Sequence, residues 1–574
     1  MPLIKFIILA VLTLFMIPWT RSGGGLRTVD GDKQKVVKRK SSPIWIIPAL
    51  FWIGVIVYEY LWLIDDRVDS IITYYAVAIA ILILLSFLGQ AKKGKLESQI
   101  KGATVFILFA VYGYFGYIHD IVISKDKYES VVKEEKDISE PFTEEDQPFT
   151  VPPKTAANKM KKVFGDIPKV SYFELGELTP QMVNGEALYV APIEVSGFFK
   201  SRKAETIPGY VTMSGTNPDA EAKLHLGYKM KYVPSMFFGD NLQRVVRKAE
   251  PDLIFKGKPK FEVDDNGKPF YTLTYGEFVS GRSGFVPKGV VVVNAETGDV
   301  KKYEGDTAPK FIDGVLNYET ASTLNTYFGK YIHGFWNTKF SQTDVREPTA
   351  WGTKEGVTPI FGKDGKLYYF TDFTSPKEGV DSALGYSLVD ARTGKLSYFN
   401  GDQVKGIMDG SAAEEVVDNS FKREKWHGTM PVIYNVYGKP SWVVPVVDDG
   451  GLVRAYAVVA ASNAKVFATA PSQKEAFKKY KSVLTGSGDA ARPTSDGKEA
   501  KIDGTVQRVY KEKTGENTIV FVLLENEEKV FMVSAKDFPY AMFTEVGDAV
   551  QMTYLDTGET MSSVSEFTNS NLQK

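Results

Sequence analysis

Gly289-Val290-Val291-Val292-Val293-Asn294-Ala295-Glu296-Thr297-Gly298-Asp299-Val300 recurs as Gly385-Tyr386-Ser387-Leu388-Val389-Asp390-Ala391-Arg392-Thr393-Gly394-Lys395-Leu396. Each stretch is an apolar, β-branched or aromatic run, then Asn/Asp-Ala-x-Thr-Gly, then a second such run. Val, Tyr and Phe suit a pleated sheet, and the glycine supplies the positive φ that a tight turn requires. The pattern therefore predicts strand, turn, strand, twice.

Working outward, each stretch is preceded by another turn and strand. These are Asp264-Asp265-Asn266-Gly267-Lys268 before Pro269–Thr274, and Lys363-Asp364-Gly365-Lys366 before Leu367–Thr371. Gly267, Gly298, Gly365 and Gly394 are thus the expected turn glycines, with Gly438 of a weaker copy (Gly438-Lys439-Pro440-Ser441-Trp442-Val443-Val444). A fourth copy begins at Gly185-Glu186-Ala187-Leu188-Tyr189-Val190. Apolar residues at three-to-four spacing predict a helix ahead of each sheet, over Ala156–Phe164, Leu242–Glu250, Ala321–Phe335 and Ala412–Arg423. The repeating unit is helix plus antiparallel sheet, with two units in 154–305 and two in 306–484.

A helix followed by a hairpin with Asp-x-x-Thr-Gly-(Lys/Asp)-Val/Leu resembles the PepSY domain of bacterial envelope proteins. The resemblance implies an α+β fold outside the cytoplasm and an interaction module that binds or inhibits peptidases. It brings no catalytic residues. Beyond a Gly/Ser/Pro-rich linker at 485–500, residues 501–574 hold five short apolar runs, among them Ile502–Tyr510 and Val546–Tyr554. These resemble a small OB- or SH3-like β-barrel.

The N-terminal part differs in kind. Apolar runs at about 3–19, 43–64, 71–88 and 103–121 approach the ~20 residues that a membrane-crossing helix needs. The 21–42 loop carries Arg21, Arg27, Lys33, Lys35, Lys38, Arg39 and Lys40, and the 91–101 loop carries Lys92, Lys93, Lys95 and Lys101. The loop between them, Asp65-Asp66-Arg67-Val68-Asp69, is acidic. The positive-inside rule then predicts four transmembrane helices over 1–124, with both ends and the large C-terminal domain outside the cytoplasm. His119 and Asp120 read as interfacial anchors at the end of the fourth run. Residues 125–153, with Glu129, Glu134, Glu135, Asp137, Glu140 and four prolines, read as an acidic stalk.

Composition narrows the chemistry. With 69 basic and 70 acidic residues there is no dominant basic field for nucleic acid. No cysteine is present, which removes thiolate catalysis, disulfides and Cys-based metal sites. There is no phosphate-loop motif and no His-Glu-x-x-His. Gly281-Arg282-Ser283-Gly284 lacks the spacing of a nucleophile elbow. Glu262-x-Asp264-x-Asn266-Gly267 starts like a calcium loop but has Leu273 where a bidentate Glu is needed. The four histidines, His119, His225, His333 and His427, are dispersed along the chain.

The expectation is an extracytoplasmic, multi-pass membrane scaffold without enzymatic activity, cofactor or metal. Its partners would be the lipid bilayer and envelope proteins or peptides, with further subunits in an oligomer. Contacts would be made at sheet edges and at the loops Glu277–Pro287 and Thr374–Ala383. The alternatives are a structural subunit of a membrane-embedded envelope or secretion assembly, and a carboxylate-dependent wall hydrolase.

Overall fold

The computed structural model describes residues 118–486 and 498–572 apart from short breaks at 138, 144–145, 281–282, 350, 378–381, 403, 515–516 and 557–560, together with 26–30, 33–37 and a few single residues before 118. In the N-terminal part β1 (Leu26–Asp30) and β2 (Lys33–Val37) pair as an antiparallel hairpin, within the loop expected to be a basic cytoplasmic connection.

The four expected transmembrane runs lie almost wholly outside the described residues. Where the last of them ends, the chain forms α1 (His119–Val122), only 4 residues long, and α2 (Ser124–Ser130). Among the described residues no helix is long and apolar enough to cross a membrane, and sheet dominates the architecture. The four-helix transmembrane architecture and the multi-pass membrane localisation are corrected accordingly. His119 and Asp120 are not interfacial anchors. His119 is buried with its Nε2 3.3 Å from Ser280 Oγ, and Asp120 accepts from Lys127 and Ser283.

Residues 125–153 are not an extended stalk either. After α2 they supply β3 (Lys133–Lys136) and β4 (Pro141–Phe142), which join two different sheets as parallel strands. Phe149 and Val151 are fully buried.

Four sheets follow, each after a helix. Unit 1 has α3 (Pro153–Lys162), β5 (Phe173–Leu175), β6 (Thr179–Val183), β7 (Glu186–Val195), α4 (Phe198–Ala204), β8 (Ile207–Ser214) and β9 (Lys223–Met230). Unit 2 has α5 (Leu242–Ala249), β10 (Ile254–Phe255), β11 (Lys260–Val263), β12 (Pro269–Ser280), β13 (Ser283–Asn294) and β14 (Val300–Glu304). Unit 3 has α6 (Tyr318–Lys330), α7 (Gly334–Lys339), β15 (Glu347–Pro348), β16 (Thr358–Phe361), β17 (Leu367–Thr374), β18 (Ser382–Asp390), β19 (Leu396–Phe399) and β20 (Ile407–Met408). Unit 4 has α8 (Gly410–Ser420), β21 (His427–Gly428), β22 (Val432–Val436), β23 (Lys439–Val447), β24 (Val453–Ala460) and β25 (Phe467–Ala470). Side-chain oxygens of Asn241, Asn317 and Asp409 cap α5, α6 and α8 by accepting from Arg244, Thr320 and Ala412 N–H groups.

One backbone device recurs in all four units. The residue that opens the turn into β9, β14, β19 or β25 donates its N–H to the start of the strand two back: Gly215 to Ala187 at 2.9 Å, Ala295 to Pro269 at 3.1 Å, Ala391 to Leu367 at 3.0 Å, Ala461 to Pro440 at 3.0 Å. Its carbonyl then accepts from the segment that enters the same unit: from Thr150 at 3.1 Å, Lys231 at 2.8 Å, Leu316 at 2.8 Å and Met408 at 2.8 Å. The repeat is therefore one of hydrogen bonding as well as of strand order.

Unit 3 is the middle layer. Its side chains alternate across the pleat, and both faces are dry. Leu367, Tyr369 and Phe373 join a core shared with units 1 and 2, while Phe370, Tyr386 and Phe399 join a core shared with unit 4. Trp442 of unit 4 is fully buried, stacks edge-on against Phe370 and donates Nε1–H to Met408 O at 3.0 Å. Unit 4 also returns to unit 1: Thr155 donates to Gly451 O at 2.5 Å and Asn158 to Gly450 O at 2.9 Å.

After α9 (Gln473–Gly486), β26 (Lys498–Thr514), β27 (Asn517–Leu524), β28 (Val530–Ser534), β29 (Ala549–Asp556) and β30 (Met561–Asn569) close a barrel in the order β26-β27-β28-β30-β29. Only β28 and β30 run parallel. Val520, Val522, Phe531, Val550, Met552 and Phe567 fill it.

Candidate interaction surface

The expected turn glycines all adopt positive φ: Gly267 +80°, Gly298 +77°, Gly365 +73°, Gly394 +73° and Gly438 +81°. Asn294 and Asp390 complete their turns with side-chain oxygens that accept from Glu296 and Thr297, and from Arg392 and Thr393. These residues build the turns of the scaffold.

The histidines stay apart, each with its own partners. His225 Nε2 lies 2.9 Å from Thr212 Oγ1 with its ring stacked on Tyr210, His333 pairs with Asp344 at 2.9 Å, and His427 sits near Asp418 and Asp449. Among the described residues no group of three or more His, Asp or Glu side chains is placed to hold a metal ion.

The most concentrated buried charge is a clamp on the segment joining units 2 and 3. Lys260, buried, donates to the carbonyls of Gly314 and Leu316, and its Nζ lies 3.7 Å from Glu262. Glu262 accepts from Asp313 N–H at 2.9 Å, and the Asp313 carboxylate accepts from Met182 N–H. Arg392 donates to the carbonyls of Asp306, Ala308, Pro309 and Ile312. Burial pushes the Lys260 ammonium down and the Glu262 carboxyl up. Burial, reinforced by the charge of Glu262, lifts Asp313 to about 7. Apart from Glu262 Oε1, which is buried with no hydrogen bond and has only Lys260 Nζ nearby, these groups bond the chain's own backbone, so the cluster fixes the linker.

Two hollows are polar. One, of about 540 Å³, runs between unit 1 and the turn after β16, with Asp146, Glu186, Thr212, Asn217 and Lys363 on its walls and Lys363 paired to Asp146 at 3.0 Å. The other, of about 390 Å³, lies beside α6, where Thr349 donates to the buried Asp372 carboxylate at 2.6 Å. Burial lifts Asp372 to about 6.

The surface feature that stands out is apolar. Phe198 and Phe199 open α4, and Phe237 and Phe238 lie in the segment entering α5. Phe198 meets Phe199, Phe237 and Phe238 edge-on, with ring centroids 5.4, 5.2 and 5.9 Å away. All four are exposed, Phe199 by 79%. Phe238 holds φ +54°, a left-handed conformation that a bulky residue rarely adopts. Arg202 and Lys203, both exposed, follow Phe198 and Phe199 by one turn on α4. Sequence reading passed over these residues because two isolated Phe-Phe pairs follow neither a helical nor a strand period. Their placement beside glycine, as Gly197-Phe198-Phe199 and Phe237-Phe238-Gly239, was the available signal.

The loops expected to make contacts fare differently. Within Glu277–Pro287, residues 277–280 end β12 and 283–287 begin β13, while 281–282 lie outside the described residues; α1 and α2 pack on these strands through His119, Asp120 and Lys127. Their surface is thus partly taken up by the chain itself. Residues 378–381 of Thr374–Ala383 fall outside the described part, and Ser382 and Ala383 pair with β20.

Comparison with known families gives a match to a model described as a domain of unknown function (DUF3981) over residues 16–128, a minor part of the chain. No curated protein matches. Solved structures that the chain resembles, at low similarity, include the following two. One is the major allergen Mala s 1 of Malassezia sympodialis, at 9% identity over 62% of this chain and 72% of that one, TM-score 0.14. The other is a GH43_1 enzyme from Xanthomonas citri complexed with xylose, at 9% identity over 64% and 87% of the two chains, TM-score 0.14. At that TM-score neither likeness bears on the function of this chain.

Proposed function

We propose that the chain is an interaction scaffold that binds a protein or peptide partner. The observation that carries this reading is the exposed patch of Phe198, Phe199, Phe237 and Phe238, with Arg202 and Lys203 one turn along α4. Contiguous exposed aromatics mark binding surfaces, and buried aromatic anchors beside arginine dominate interface energetics. A rigid frame suits the role: unit 3 is packed on both faces, and unit 4 is bonded back to unit 1. The order of helix and antiparallel sheet in each unit supports a PepSY-like reading, in which restraint of a peptidase is one form of the activity. The β26-β27-β28-β30-β29 closure supports an OB-like reading of the barrel.

The test is a double variant, Phe199→Ser with Phe238→Ser, expressed in the native cell. Native gels of the wild-type chain are expected to show a complex heavier than the chain. In the variant that complex is lost while the melting temperature stays within about 2 °C, because neither ring is in a core. An unchanged complex, or none in the wild type, contradicts the proposal.

A further inference from the structure

We propose that unit 2 takes up an extended acidic peptide as a parallel strand on the open edge of β14, a refinement that rests on the scaffold reading above. The precedent lies within the molecule. In unit 3 the outer edge of β19 is covered by β3, parallel and in register from Leu396↔Lys133 to Phe399↔Lys136. Leu396 N–H donates to Val132 O at 2.9 Å and Asn400 N–H to Lys136 O at 3.2 Å. Side chains add charge: Glu134 accepts from Ser397 and pairs with Lys395, and Asn400 Nδ2 donates to Glu135 at 3.3 Å.

β14 is the counterpart of β19. Each follows an Asx-Ala-x-Thr-Gly turn, and Val300 faces Val293 as Leu396 faces Val389. Among the described residues β14 ends its sheet; the N–H of its last residue, Glu304, donates to Thr307 Oγ1 at 3.2 Å, so the edge offered to the peptide is Val300–Tyr303. The corresponding strand of unit 1 is a poorer template. β9 is broken by Gly227 at φ +102°, and its Lys229 N–H donates to Glu296. In unit 4, β25 is Phe467-Ala468-Thr469-Ala470 and carries no charge.

Charge names the occupant. Counting from the turn glycine, Lys301 stands where Ser397 faces Glu134, and Lys302 stands where Tyr398 faces Glu135. Both lysines are exposed; Lys302 Nζ lies 3.9 Å from Glu304 on its own strand and 5.1 Å from the Tyr275 ring centroid, so an acid there would compete with that exposed pair. Successive side chains point to opposite faces of a strand, so two consecutive acids in the incoming peptide would each meet one lysine. Backbone pairing supplies affinity in this mode, and the side chains supply specificity.

The rival explanation is that edge lysines only guard against sheet-to-sheet aggregation. A fluorescent peptide of residues 131–137, Val-Val-Lys-Glu-Glu-Lys-Asp, separates the two when titrated into the full chain by anisotropy. The expected result is saturable binding that weakens roughly tenfold or more in Lys301→Glu/Lys302→Glu. A peptide with both glutamates replaced by lysine should restore binding to that variant. Equal binding to both chains, which would place the peptide at β19 instead, overturns the proposal, as does no binding at all. If the native-gel complex survives either of those outcomes, β14 is wrong and the scaffold reading stands. If the phenylalanine variant leaves the complex unchanged, the scaffold reading itself has failed.

Discussion

Ser397 donates its hydroxyl to the Glu134 carboxylate at 2.7 Å, from one parallel strand to the next, across 263 residues of sequence. This contact, with Lys395 beside it, holds the segment before unit 1 against the edge of unit 3. Lys395 first, then Lys136 and Ser397, lower the Glu134 carboxyl to about 2. A depressed folded pKa gives stability that is full above about pH 4.5 and is lost as pH falls towards 2. Protection of the Leu396 amide, which donates into β3, is therefore expected to fall over that window in wild type. Glu134→Gln should show low protection that varies less with pH. Equal protection in both chains at every pH would contradict the account.

Asp313 has the opposite sign. Its folded pKa, lifted to about 7, lies above the ordinary carboxylate value. Its contribution is full below about pH 4 and is lost as pH rises through 7. Wild type is expected to lose stability relative to Asp313→Asn between pH 5 and 8, by on the order of 2–3 kcal/mol in urea denaturation. Asparagine keeps an oxygen for Met182 N–H, so the packing survives. Parallel stability curves would show that the clamp does not feel the buried carboxyl.

Trp442 joins units 3 and 4 through Phe370, Trp351 and the Met408 carbonyl. Trp442→Ala should cost about 3–5 kcal/mol, from lost burial and the cavity left behind. A loss below about 1 kcal/mol in denaturant titration would mean that the two units do not depend on this contact.

At Gly298 and Gly394 the left-handed backbone costs an alanine roughly 1–2 kcal/mol. A Cβ on Gly298 would also meet the Tyr232 ring at 2.8 Å, whereas one on Gly394 meets Leu316 at 3.3 Å. Gly298→Ala is expected to be the more destabilising of the two by thermal denaturation. The reverse order would put the strain elsewhere in the turn.

These turns were legible because positive φ leaves few alternatives to glycine, and because Asx-Ala-x-Thr-Gly sets turn and strand together. The helix caps at Asn241, Asn317 and Asp409 are equally local, but hydrophobic spacing alone did not find them, and it started the helices at Ala321 and Ala412 too late. What failed was long-range. Lys133-Glu134-Glu135-Lys136 is polar and charged throughout and reads as a linker; it is a strand because Lys395 and Ser397 await it on unit 3. The hydropathy of the first 124 residues suggested four crossings, but no described helix has the length and apolarity for one, and His119 belongs to the packing of β12–β13. The phenylalanine patch assembles from α4 and the α5 entry, elements nearly forty positions apart, so neither dipeptide announces it alone.

The most direct measurement is photo-crosslinking in cells with a benzophenone amino acid at position 199, the most exposed ring of the patch. The scaffold account predicts one discrete adduct, reduced when Phe238→Ser is introduced and absent from a control probe at the exposed Lys258. No adduct, or the same adducts from both positions, would contradict it.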